Sequence, residues 1–305
     1  MRRLAGVTGL PTITPGAASP PGGRRRWRKA AGKVFQGGMS ADMAGENSVL
    51  LFEDRHLLAY YQPGTLDFLL ITFSDLIFPV EKRTFFAQGP AAKMSMPCLG
   101  LVAKKPNWFP PESVRKALEA MRPQLDAYRQ RVLYGGSMGG YAAVKYSALF
   151  EASHVVSLCP QWSIDPAECG GVDPGWGGHF TRAMAGMGIV PADVAGRVYL
   201  FLDTYDRRDR FHAGKIQAAY PSSVIFSVPW VGHNVTGTLS GTSNLFRIVR
   251  ACMEGNHADL YSIVRSARIA RPKRRNKIVE LASSRHPALV SRLVGSEEAE
   301  MRLPA

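Results

Sequence analysis

Residues 131–141 read RVLYGGSMGGY, one serine set among four glycines directly after a short apolar run. Glycine has no Cβ and enters backbone conformations that other residues avoid, so two glycines on each side of Ser137 mark a turn too tight for ordinary side chains. The run RVLY has the β-branched and aromatic character of a buried strand, and GYAAVKYSALF after the turn has the character of a helix. A serine at such a strand-to-helix turn would stand exposed at the carboxyl edge of a sheet. The first amides of the helix and its dipole would point toward it, an arrangement suited to negative charge developing beside a nucleophile.

Outward from this turn the chain alternates. SVLLFE (48–53), HLLAYYQ (56–62) and DFLLITFS (67–74) are β-rich runs separated by Asp-Arg and Pro-Gly turns. PCLGLVA (97–103) predicts a further strand, and ESVRKALEAMRPQLDAY (112–128) predicts a helix with Pro110 and Pro111 at its start and a kink at Pro123. After the serine helix come the strand HVVSLCP, an irregular stretch over 161–196, the strand VYLFLD, a helix near 209–220, the strand SVIFSVP and a helix over 240–253. Strand-helix-strand units in series predict a doubly wound α/β architecture, a mostly parallel sheet covered by helices on both faces. Residues 39–256 form this domain, with a cap inserted at 161–196. Residues 257–305 read as a basic helical extension of two or three short helices broken at Pro272 and Pro287.

The 305 residues are 46% hydrophobic, enough for a sizeable core without metals or disulfides. The net charge of +14 suggests nucleic acid until it is located. Residues 1–38 carry eight basic and no acidic residues, residues 264–305 carry ten basic and four acidic, and the body between them is balanced at 20 of each. The basicity therefore belongs to the ends. Residues 1–38 mix Pro, Gly, Ser and Arg without periodicity and read as a disordered tail; the ordered pattern begins soon after Met39, an alternative start of translation. The clusters RRRWRK (24–29) and RPKRRNK (271–277) could touch nucleic acid or an anionic surface, though no recognised binding fold surrounds either. No apolar run is long enough for a transmembrane helix. Cys98, Cys159, Cys169 and Cys252 lack zinc or redox spacing and read as thiols of a reducing, cytoplasmic compartment, and the seven histidines show no metal-ligand spacing.

Two later loops complete the pattern. Asp203-Thr-Tyr-Asp206-Arg-Arg-Asp209 follows VYLFLD, and Trp230-Val-Gly-His233-Asn follows SVIFSVP. The chain order is serine, aspartate, histidine, with acid and base each in a loop just after a strand. Together with G-x-S-x-G at 135–139, this resembles the α/β-hydrolase superfamily of esterases, lipases and related acyl hydrolases, over roughly residues 48–253. The resemblance implies Ser137 as nucleophile, His233 as base and Asp206 as acid, because aligning Asp203 with the glycine of the family's G-x-x-D loop puts Asp206 in the catalytic place. Asp209 is the alternative acid, Asp203 is read as capping the turn, and Asp165 is a more distant candidate. It further implies an oxyanion hole from the Met138 amide and from the loop after the third strand, at Ser74, although no HGGG-type sequence stands there. Neither cofactor nor metal is required.

The cap stretch bears Trp162 and Trp176, and Trp108 follows a strand in PNWFPP. These three could line the site, where Trp162 and Trp176 would stack on a sugar; alternatively Trp162 and Trp176 simply pack the insertion and Trp108 anchors a loop. The expectation is a serine hydrolase acting on, or transferring the acyl group of, a small-molecule or glycan ester, for example a short-acyl ester of a carbohydrate or polar metabolite. The competing expectation from another class is a non-catalytic scaffold of the same fold that binds a glycan or protein partner.

Overall fold

The computed structural model describes residues 48–270 and some residues between 279 and 292. The predicted tail at 1–38, the possible start at Met39 and most of the segment beyond Ile269, including Pro272, lie outside the described residues. Eight strands form one sheet: β1 (Val49–Glu53), β2 (Leu57–Gln62), β3 (Phe68–Phe73), β4 (Cys98–Ala103), β5 (Gln130–Gly136), β6 (His154–Leu158), β7 (Arg197–Leu202) and β8 (Val224–Ser227). Their order across the sheet is β1-β2-β4-β3-β5-β6-β7-β8. β2 is antiparallel to both β1 and β4, and every pairing from β4 to β8 is parallel.

Alternation along the strands explains why both faces are covered. Leu69, Ile71 and Phe73 of β3 point into one apolar cluster, and Phe68 and Leu70 point into the other. The first cluster packs against α2 (Pro111–Asp126), α3 (Met138–Lys145) and α5 (Arg207–Ala219), through Leu118, Tyr141 and Ile216. The second packs against α1 (Gln88–Lys93) and the later helices α6 (Val235–Thr238), α7 (Thr242–Glu254) and α8 (His257–Ile269), through Ala91, Val235, Ile248 and Ile263. A central strand such as β3, buried along its whole length, is therefore apolar at every position but Thr72.

The helix over 111–126 continues through Pro123. The helix that begins at His257 packs on the domain: Leu260, Ile263, Val264 and Ala267 lie buried in the same cluster as Phe226 and Val249. The segment between β6 and β7 holds a single helical turn, α4 (Pro166–Cys169), and three 3-10 turns at Gly177–His179, Arg182–Met184 and Pro191–Asp193. All four cysteines are free and buried. Among the described residues no helix is long and apolar enough to cross a membrane.

Candidate active site

The turn between β5 and α3 is as tight as its glycines demand. A Cβ on Gly135 would lie 2.2 Å from the Gly139 carbonyl oxygen, and one on Gly139 would lie 2.3 Å from the Phe73 carbonyl oxygen at the end of β3. These close approaches bring α3 down onto β5 and β3. Ser137, between them, takes φ 53° and ψ −119°, a strained conformation for a residue with a side chain. Its amide donates to the Leu158 carbonyl at 2.8 Å, which anchors the turn to the end of β6. Met138 opens α3 at its first position, where the backbone N–H has no intrahelical acceptor.

The serine hydroxyl faces the histidine of the last loop. Ser137 Oγ lies 2.9 Å from His233 Nε2, and His233 Nδ1 lies 2.6 Å from Asp209 Oδ1. Asp209 is almost fully buried, while His233 is partly exposed. Burial pushes the Asp209 carboxyl above its ordinary range, against the lowering pull of His233. For His233 burial is the largest single influence and favours the neutral ring, but Asp209 and Cys159 together outweigh it and raise the imidazole above its ordinary value. A serine, an imidazole and a carboxylate in this chain of hydrogen bonds can pass a proton from Oγ to Nε2 while the carboxylate fixes the tautomer with its hydrogen on Nδ1.

The aspartates divide their labour differently from the sequence expectation. Asp206 does not reach the histidine: it is the N-cap of α5, and its Oδ1 accepts from the amides of Arg208 and Asp209. Capping turns α5 so that Asp209, in its first turn, faces inward. Asp203 is completely buried and ties the two loops together: Oδ1 accepts from the Tyr205 amide, and Oδ2 accepts from Val231 and Gly232 at 2.8 and 2.7 Å. It holds the backbone that presents His233. Asp165 caps α4 and accepts from Gly186.

Ser74 does not offer the oxyanion donor expected of it. Its N–H donates to the Leu101 carbonyl at 3.0 Å and its Oγ accepts from the Ala103 amide, so it extends the β3–β4 ladder by one residue. The tryptophans also separate. Trp176 packs on the His233 ring, with centroids 4.4 Å apart. Trp162 donates its indole N–H to the Ile189 carbonyl and packs the insertion beneath Lys215. Trp108 is buried against His179 in the wall of a cavity of about 650 Å³ that it shares with Tyr141 and Met187.

Two residues at the site gave no signal in the sequence. Gln161, just after β6, is completely buried and donates from Nε2 to Ser137 Oγ at 3.1 Å. His212, in α5, is also completely buried. Its Nδ1 accepts from the Trp162 amide at 3.1 Å, so Nε2 carries the hydrogen and donates to the Pro174 carbonyl at 3.0 Å. Burial pushes its pKa down to about 4, in keeping with this neutral clamp. Among the described residues one grouping has metal-donor chemistry: Cys159, Asp209 and His233, with donor atoms within 4.8 Å. Here Asp209 and His233 bond each other, and Cys159 Sγ donates to the His233 carbonyl.

The strand order, with β2 antiparallel and a serine on the elbow after β5, defines the α/β-hydrolase fold. No protein-family model matches the chain, and no curated protein matches it significantly. Similar solved structures include Est1E from Butyrivibrio proteoclasticus, 16% identical over 71% of this chain and 100% of that one, with a TM-score of 0.49. The Pyrococcus furiosus esterase Pf2001 is 11% identical over 72% and 96% of the two chains, with a TM-score of 0.48. The capsule O-acetyltransferase of Neisseria meningitidis serogroup A is 11% identical over 65% and 92%, with a TM-score of 0.44.

Proposed function

We propose that this protein is a serine hydrolase that cleaves a carboxylic ester, or transfers its acyl group, through an acyl-enzyme. The observation that carries the reading is the continuous chain Ser137–His233–Asp209 at 2.9 and 2.6 Å. Ser137 Oγ attacks the ester carbonyl as His233 Nε2 takes its proton, and the Met138 amide receives one lone pair of the oxyanion. Collapse of the tetrahedral intermediate expels the alcohol, which takes the proton back from His233. Water, or an acceptor alcohol, then repeats the sequence on the acyl-enzyme.

Asp209 rather than Asp206 serves as the acid in this scheme. Trp176, lying on the imidazole, narrows the approach from the side of the insertion and favours a short acyl group on a polar or carbohydrate alcohol. The test is labelling with a fluorescent fluorophosphonate alongside hydrolysis of an acetate ester. Wild-type protein should label and turn over; Ser137→Ala should do neither, and His233→Ala should lose at least about 10³-fold in kcat. A folded wild-type protein that stays unlabelled and inert would leave only the binding-scaffold reading.

A further inference from the structure

The Met138 amide supplies one oxyanion donor, and Ser74, the residue directly after β3, offers no second, because its N–H is committed to Leu101. Gln161, three residues past the end of β6, also reaches the serine. Its side chain is completely buried, Nε2 is 3.1 Å from Ser137 Oγ, and Oε1 has no hydrogen-bond partner. The orientation follows from valence: the single hydrogen of Oγ points to His233 Nε2, so Oγ accepts from Gln161. The loop that carries Gln161 is held in turn by His212, which receives the Trp162 amide.

A buried primary amide with one N–H on the nucleophile and an unpaired carbonyl is costly to keep, since burial strips its oxygen of water without supplying a partner. We propose that the side-chain amide of Gln161 is a catalytic residue, the second donor to the oxyanion formed at Ser137. This rests on the serine-hydrolase reading above. As Oγ bonds to the acyl carbon and its proton passes to His233, Oγ becomes an ether-type oxygen of the tetrahedral adduct and a poorer acceptor than the new oxyanion. The displaced carbonyl electron pair builds up on the oxygen attached to the same carbon, next to the Gln161 N–H group. The donor thus exchanges a neutral hydroxyl for an anion, a gain made only in the transition state.

Gln161→Leu, compared with wild type and Ser137→Ala, tests the assignment in the full chain. Loss of one oxyanion donor lowers kcat by about 10²–10³-fold. KM for the acetate ester should stay nearly constant. A trifluoromethyl ketone, which forms a hemiketal with the serine, gives the second readout: its fluorine NMR titration should move to higher pH in Gln161→Leu, because the oxyanion form has lost a donor. A residue that merely held the Ser137 rotamer would leave that titration in place. Should Gln161→Leu fail to fold, the isosteric Gln161→Glu carries the test, and a carboxylate facing the oxyanion should cost at least as much. A kcat within about threefold of wild type, or an unmoved hemiketal titration, overturns the role of Gln161 while an inactive Ser137→Ala leaves the hydrolase intact. Wild-type protein that forms no adduct and hydrolyses nothing overturns both.

Discussion

Asp206 and Asp209 are separated by less than one helical turn, and the start of α5 decides between them. A carboxylate just before the first helical residue is best used on the free amides there, and Asp206 Oδ1 accepts two of them. The residue three positions on then points to the core side, where Asp209 meets His233. Asp209→Asn should therefore lower kcat by about 10⁴-fold, through loss of the imidazolium partner and the correct tautomer. Asp206→Asn retains a capping side chain and should change kcat little; Asp206→Ala should cost about 1 kcal/mol of stability, read by urea unfolding. The same pair sets the pH profile. In the proposed mechanism His233 acts as a base only when neutral, and its pKa is raised, so the protonated, inactive form would persist to higher pH. The acidic limb of kcat/KM should have its midpoint above the ordinary histidine value of about 6.5. In Asp209→Asn one of the two raising partners is gone while burial remains, so the limb of the residual activity should move to lower pH.

The β5–α3 elbow has a different kind of dependence, on backbone contact. Gly139→Ala brings a Cβ against the carbonyl oxygen of Phe73, which belongs to a central strand and cannot swing away. Overpacking of this kind costs about 1–3 kcal/mol. Thermal unfolding should report that loss, and fluorophosphonate labelling should slow with it because Ser137 is displaced with the helix. Most elements were legible because each carries its own signal: an apolar run for β5, glycines for the turn, helical spacing for α3. What the sequence left open was decided by pairings between distant segments. Nothing local to Ser74 says that the β3–β4 ladder continues through its amide. Nor does anything local to Gln161 or His212 say that they meet Ser137 and Trp162 across gaps of 24 and 50 residues. The aspartates of 203–209 were ambiguous for a related reason, since three carboxylates at cap spacing cannot be ranked until the helix start is known.

Charge belongs to the whole molecule. The excess of basic residues lies at the two ends of the chain, and the body that carries the candidate site is balanced. A site built from a serine, an imidazole and a buried carboxylate needs no field from those ends, so catalysis and any electrostatic binding by the ends should separate. The fold shows where to divide them. A cut at residue 264 would sever α8, whose Val264 and Ala267 are buried beside Phe226, whereas a cut after residue 270 spares it. Removal of residues 1–38 and 271–305 together should leave kcat/KM for the acetate ester within about twofold of the full chain, since no phosphate-like field acts on the neutral reaction. Any binding of a polyanion such as heparin or duplex DNA by the full chain should weaken steeply with salt and vanish in the shortened protein, as expected when counterion release supplies the affinity. Retention of that binding by the shortened protein would put the anion-binding surface on the α/β body. Loss of ester hydrolysis with normal folding would make the ends part of the site.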